Sequence, residues 1–160
     1  MTTITLLSSL EAMPHIEYII SDICDELHLS GLTPSVTLAV AEAIRNAIVH
    51  ANHGDISKSL TLSYGYSGGT LCFDITDDGP GFDLDATMKN NLDLPSLQNG
   101  KGGGEGLFLM RSLADTLSYS IPTHTLHLEF AAQGINPTLA TTRQSALARH
   151  YDTTLLSLDT

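Results

Sequence analysis

Three short stretches of this chain carry residue types suited to chemistry. In residues 42–52, EAIRNAIVHAN, a carboxylate, an amide and an imidazole (Glu42, Asn46, His50) recur every four residues. On a helix that spacing makes one row along the surface. Such a row at the edge of a core can hold a hard cation or take a proton from a nucleophile. It can equally be a solvated helix face with no task. His50 alone reads as a capping or packing histidine near a helix end. The second stretch is Asp77-Asp78-Gly79-Pro80-Gly81. A carboxylate at a strand end can accept a hydrogen bond from a ring amino group, and Gly79 and Gly81 permit a close backbone approach. Taken alone, this pattern is a common turn. The third is Gly102-Gly103-Gly104-Glu105-Gly106, directly before an apolar run starting at Leu107. Backbone N–H groups at a helix start cradle phosphates, although a glycine run is as often a linker. The order and spacing of all three stretches are what make the set specific.

The surrounding pattern supplies elements to hold these residues. Ile4 to Leu7 alternate weakly and suggest a short first strand. Ile16, Ile19, Ile20, Ile23, Cys24 and Leu27 follow the helical series over residues 12–29, with Ser30-Gly31 as the stop. Thr33-Pro34 restarts the chain as N-cap and first helical residue, and this second helix runs to about Asn52. Val36, Val40, Ile44, Ala47 and Ala51 form its core stripe. Ala39 and Ala43 lie between stripe and polar row, where a ligand could approach the backbone. Leu60, Leu62, Tyr64 and Tyr66, then Leu71, Phe73 and Ile75, alternate around the turn Ser67-Gly68-Gly69, which predicts a hairpin with one apolar face. After a long aperiodic stretch the glycine run opens a buried helix. Leu117, Tyr119 and Ile121 and then Leu126, Leu128 and Phe130 alternate around Pro122-Thr123-His124. The order predicts an α+β two-layer sandwich, a mostly antiparallel mixed sheet with helices on one face.

Composition narrows the function classes. The 160 residues, 42% hydrophobic and 16% charged, suit one domain with a real core. A net charge of −11 with only seven Lys and Arg is a poor surface for nucleic acid. No apolar run approaches the roughly 20 residues of a membrane span. The start of the chain lacks a signal-peptide pattern, so a cytoplasmic location is expected. Cys24 and Cys72 are expected to be buried free thiols. Residues 1–132 read as the domain and 133–160 as an extension of unknown role.

The E-x-x-x-N helix (Glu42, Asn46), the Asp77-x-Gly79-x-Gly81 box and the Gly102-x-Gly104-x-Gly106-Leu107 box resemble the N, G1 and G2 boxes of the GHKL (Bergerat-fold) ATPases. Within that superfamily EAIRNAIVHAN, ITDDGPGFD and GEGLFLMRSLAD are most similar to the anti-sigma-factor serine/threonine-protein kinases of the RsbW/SpoIIAB type, over roughly residues 4–130. The resemblance implies ATP and Mg²⁺ as cofactors. It implies Glu42 as general base, Asn46 as Mg²⁺ ligand and Asp77 as reader of the adenine amino group. It assigns Gly79, Gly81, Gly102, Gly104, Gly106 and Leu107 to nucleotide binding, and residues 83–101 to a lid. The implied partners are an anti-anti-sigma (STAS) protein, phosphorylated on serine, and a sigma factor, held by a homodimer.

Two features depart from that family. Glu105 sits in the glycine box, where a carboxylate beside a triphosphate is unfavourable unless offset by the metal or by Lys101. The thirty or so residues after the last strand are not part of the family pattern. Two other functions fit the same boxes. One is a nucleotide-binding partner-switch module that sequesters a protein without phosphoryl transfer, against which Glu42 argues. The other is a histidine-kinase catalytic domain, less well matched because His15 and His28 lie on or beside the first helix of this same domain.

Overall fold

The structure is a computed structural model, and it describes residues 1–79 and 104–132. Its elements are β1 (Thr2–Leu7), α1 (Met13–Glu26), α2 (Thr33–Asn46), β2 (Ser59–Ser67), β3 (Thr70–Asp77), α3 (Gly104–Leu113), β4 (Thr116–Ser120) and β5 (Thr125–Ala131). Single 3₁₀ turns precede α1 and α2, and α2 continues into a π-helical turn at Ala47–Ala51. The five strands lie in the order β1-β2-β3-β5-β4. Each described pairing is antiparallel, so the expected mixed character is not seen among the described residues. None of the described helices is long and apolar enough to cross a membrane.

Strand alternation builds the two layers. On β3, Leu71, Phe73 and Ile75 are buried, while Cys72, Asp74 and Thr76 are only partly covered. On β5, Leu126, Leu128 and Phe130 repeat the pattern against His127 and Glu129. The buried set joins Ile16, Ile20, Val36, Val40, Ile44, Ile48 and Met110 of the helices in one core. Phe73 meets Phe130 edge-on, with ring centroids 6.1 Å apart, a geometry that adds about 0.5–1.5 kcal/mol to the area term. Ala39 and Ala43 belong to this core at 0% and 1% exposure, so neither offers backbone to a ligand. Their small side chains instead let neighbouring elements pack closely on α2.

Turn chemistry is mostly as the residue types demand. Gly68 and Gly69, with φ of 60° and 78°, close the β2–β3 hairpin between the paired residues Ser67 and Thr70. Two consecutive positive φ values are the type I′ signature, which matches the twist of the flanking strands. α1 ends on a different residue than expected. His28 takes the left-handed conformation (φ 57°), its N–H donates to the Asp25 carbonyl, and the Leu29 N–H donates to the Cys24 carbonyl. That is a Schellman motif with histidine in place of glycine. Thr33 is not an N-cap: the 3₁₀ turn Ser30–Leu32 runs directly into α2, and Thr33 already has helical φ and ψ of −51° and −48°. Ile121 falls outside β4 and is exposed in the β4–β5 turn, because the strand pairing stops at Ser120 opposite Thr125. Cys24 is fully buried, whereas Cys72 is only half-covered, since it points to the sheet face opposite the described helices. Residues 133–160, read as an extension, lie outside the described residues.

Candidate functional site

Helix α2 carries the polar row, and α3 is packed on it. Glu42 and Asn46 are half-buried, on the side of α2 that meets the first turn of α3. A Cβ placed on Gly106 would lie 3.1 Å from Glu42 Oε2, 3.2 Å from Asn46 Nδ2 and 3.5 Å from Asn46 Oδ1. Glycine at that position therefore lets the start of α3 sit directly on the carboxylate and the amide. The first N–H groups of a helix have no partner within it and carry its positive end. Described structure resumes at Gly104, the first residue of α3, so an anion drawn to that end would come beside Glu42 and Asn46. Leu107, expected at a nucleotide, lies 4% exposed in the core and anchors α3 there.

Glu42 has a further partner that the row alone does not suggest. Arg45 donates from Nη1 to Glu42 Oε1, one turn along the same helix. The pair is readable from its i,i+3 spacing. Glu42 is the more enclosed of the two, with side-chain exposure of 14% against 41% for Arg45. While Arg45 holds one of its oxygens, the second faces Gly106 at the start of α3.

The row does not extend to His50. At residue 47 the helix widens into its π turn, in which the Asn52 N–H donates to the Ala47 carbonyl at 2.8 Å. A wider turn changes the angular spacing of side chains, and His50 ends up exposed. π turns of this kind recur at functional sites.

The far end of that turn builds the second part of the site. Asn52 is fully buried and ties three segments together. Its Nδ2 donates to Ser8 Oγ at 3.0 Å and to the Ser59 carbonyl at 3.3 Å, and its Oδ1 accepts the Asp78 N–H at 3.2 Å. Asp78 returns to β2, accepting the Ser59 N–H at 2.6 Å. Gly79 lies against the π turn so closely that a Cβ there would be 2.3 Å from the Ala51 carbonyl oxygen. No side chain fits. The close approach expected of Gly79 is therefore real, and the first thing it admits is the chain's own helix.

Asp77 continues the buried alternation of β3, at the strand end and on the helix-facing side. Its Oδ1 accepts the Gly79 N–H at 2.7 Å, and His124 Nδ1 lies 3.9 Å away, too far for a hydrogen bond. Burial raises the Asp77 pKa above the ordinary carboxylate value, against the lowering effects of the Gly79 N–H and of His124. An under-solvated carboxylate is a strong acceptor for a donor that arrives with a ligand. His124 completes this corner in an unusual way. It holds a left-handed backbone (φ 50°), its carbonyl accepts the Asp77 N–H at 3.2 Å, and its buried Nδ1 has no hydrogen-bond partner among the described residues.

Two clusters result, Glu42–Asn46–Gly106 and Asp77–Gly79–Asn52, joined by one continuous helix. Gly81, Gly102, Lys101 and residues 83–101 lie outside the described residues, and of Glu105 only the helical backbone is described. The sequence pattern gave no role to Asn52, Asp78, Arg45 or His124. The signal for Asn52 was a polar residue closing an otherwise apolar stripe. The oxygen donors of Glu42 and Asn46, one turn apart, suit Mg²⁺, a hard cation that takes few protein ligands and keeps substrate phosphates or water.

Residues 8–129 match the family model of the histidine kinase-like ATPase domain, a span that contains both clusters and α3. No curated protein matches the chain.

Proposed function

Starting from the fact that this chain belongs to the histidine kinase-like ATPase domain family, we propose that it is an ATP-dependent protein serine kinase and anti-sigma regulatory factor. Family membership implies ATP binding. The finer reading rests on the motif set around Glu42, and the observation that carries it is the placement of Glu42 and Asn46 under Gly106 at the start of α3. That position brings a base within reach of a phosphate held at the helix terminus.

The chemistry assigned to this chain's residues is short. Asp77 accepts a hydrogen bond from the adenine amino group. Asn46 supplies an amide oxygen to Mg²⁺, which offsets phosphate charge when bound. Backbone N–H groups at the start of α3 hold phosphate oxygens. Glu42 takes the proton of the substrate serine hydroxyl as its oxygen bonds to the γ-phosphorus and ADP leaves. The substrate is a serine of an anti-anti-sigma STAS protein. The second partner is a sigma factor, held by a homodimer in the cytoplasm.

The test uses labelled ATP, the purified chain and a STAS protein recovered with it from its native cytoplasm. Glu42→Ala is expected to abolish transfer, by about 100-fold or more for loss of a general base, while ATP binding persists. Transfer at the normal rate in that variant would remove Glu42 as the base. One observation favours a second reading, a nucleotide-dependent binder that sequesters a partner without transfer: Arg45 already occupies one Glu42 oxygen. Under that reading no label reaches the STAS protein, yet the partner is retained with ATP and released without it.

A further inference from the structure

The face of the sheet on which none of the described helices packs gathers a second set of chemically able side chains. Cys72 on β3 and Glu129 on β5 are direct cross-strand partners, and Asp74 is opposite His127. Residues two apart on one strand share a face, so all four side chains project together. One ligand atom each from Cys72, His127 and Glu129 lies within 4.8 Å of the other two. His127 is gripped on both ring nitrogens, with Nδ1 2.5 Å from Asp74 Oδ1 and Nε2 2.9 Å from Glu129 Oε1.

We propose that Cys72, His127 and Glu129 form a binding site for a thiophilic divalent cation of the zinc class, with Asp74 as the positioning residue behind His127. The donor set is one thiolate, one imidazole and one carboxylate, which Zn²⁺ accepts in sites that keep a fourth position for water. Donor atoms around tetrahedral zinc are separated by about 3.3–3.6 Å, given Zn–S near 2.3 Å and Zn–N and Zn–O near 2.0–2.1 Å. The three atoms here need shift by only about an ångström from their present spacing. Asp74 supplies what a metal-bound histidine generally has, a carboxylate on the other ring nitrogen that fixes tautomer and orientation. On binding, Nε2 and the Cys72 thiol each release a proton to water, while Nδ1 keeps its proton and donates it to Asp74. No redox change occurs.

Without metal, the His127 ring bridges the Asp74 and Glu129 carboxylates beside the Cys72 thiol, so a cation enters this cluster by replacing the protons held there. A dication satisfies the thiolate and Glu129 together. All four side chains are partly exposed, so an ion has a path in and substitution leaves the core intact. The site is on the opposite face of the sheet from α2, and it stands or falls independently of the nucleotide reading. Bound metal would staple β3 to β5.

The test is titration of the reduced full-length chain with Zn²⁺ by calorimetry, and with Co²⁺ by absorbance. The expected result is one Zn²⁺ per chain, a rise in thermal midpoint with zinc, and a thiolate-to-cobalt charge-transfer band. Cys72→Ser is expected to remove the band, and Cys24→Ala to leave it. His127→Ala is expected to weaken zinc by more than the loss for Asp74→Asn, which is about 10–100-fold without change of stoichiometry, as for other outer-shell partners. Absence of saturable binding, a cobalt band that survives Cys72→Ser, or equal affinity in His127→Ala would each overturn the site. Equal affinity in Asp74→Asn would remove Asp74 from it.

Discussion

Strand β3 carries a carboxylate on each of its faces, and the two faces handle charge in opposite ways. Asp77, on the helix side, is buried with one backbone N–H on Oδ1, and burial raises its pKa. On the open side, His127 between Asp74 and Glu129 also has a raised pKa, but there the two carboxylates overcome an opposing burial effect. The same direction thus records a cost in one place and a gain in the other. The ionised Asp77 is a liability to the free protein that an incoming donor can relieve. The imidazolium at His127 is already compensated by its own fold. A group left in want of a partner marks where a ligand belongs, whereas a satisfied one marks a place that a metal must compete for.

The largest expected effect tests the backbone that holds Asp77 in place. Gly79→Ala forces a Cβ into the Ala51 carbonyl, which belongs to the backbone and has no side-chain freedom to give way. The expected loss is about 3 kcal/mol or more, at the upper end of overpacking costs. ATP affinity should fall with it, as read by denaturant unfolding and calorimetry. A variant that keeps wild-type stability would show that the corner opens freely.

Asn52→Ala comes next. It strips partners from Ser8, the Ser59 carbonyl and the Asp78 N–H in a fully buried place, at a cost of about 2–3 kcal/mol. A loss confined to a few tenths of a kcal/mol in urea unfolding would mean that water replaces the amide.

Asp77→Asn separates stability from function. The neutral amide keeps an acceptor for the Gly79 N–H and removes a poorly solvated charge. Because the folded pKa of Asp77 is raised, its favourable contribution is complete only below the ordinary Asp value near 3.9 and is lost as pH rises through the raised value. At neutral pH the variant should therefore be at least as stable as the parent while losing about 10-fold or more in ATP affinity, the scale of a hydrogen bond to a charged group. Parallel loss of stability and affinity would instead make Asp77 structural.

The smallest effect is on the open face. The raised pKa of His127 means that its stabilising contribution is fully present below the unfolded value near 6.5 and fades as pH rises through the folded one. Metal-free protein should show a decline in urea midpoint over that interval, and His127→Gln should flatten it. An unchanged slope in the variant would place the titration elsewhere.

Much of this molecule is legible in local pattern. Period-two alternation separated Leu71, Phe73 and Ile75 from Cys72 and Asp74, and a two-glycine turn announced the hairpin, because strand pleat and turn dihedrals are properties of a few adjacent residues. The glycine and Asp boxes were visible for a related reason: close backbone approach leaves a residue type, glycine, that nothing else can replace. Other features needed the third dimension. The π turn that removes His50 from the row of Glu42 and Asn46 has no period of its own in the sequence. The stop of α1 lies at His28, a residue type that enters the left-handed region only occasionally, and Gly31 nearby offered a stronger local signal.

The order of elements, the apolar faces and the three chemical stretches were determined by the chain's own residue types, since each depends on spacing within one helix, strand or turn. Which residues share a site was decided only by the tertiary structure. Gly106 reaches Glu42 and Asn46 across some sixty positions, and Asn52 reaches Ser8 across 44. Burial decided the rest. The Asp77 carboxylate and the Asp74 carboxylate are identical in sequence terms, and only the packing of helices on one face of the sheet makes the first strain for a donor while the second rests against a histidine.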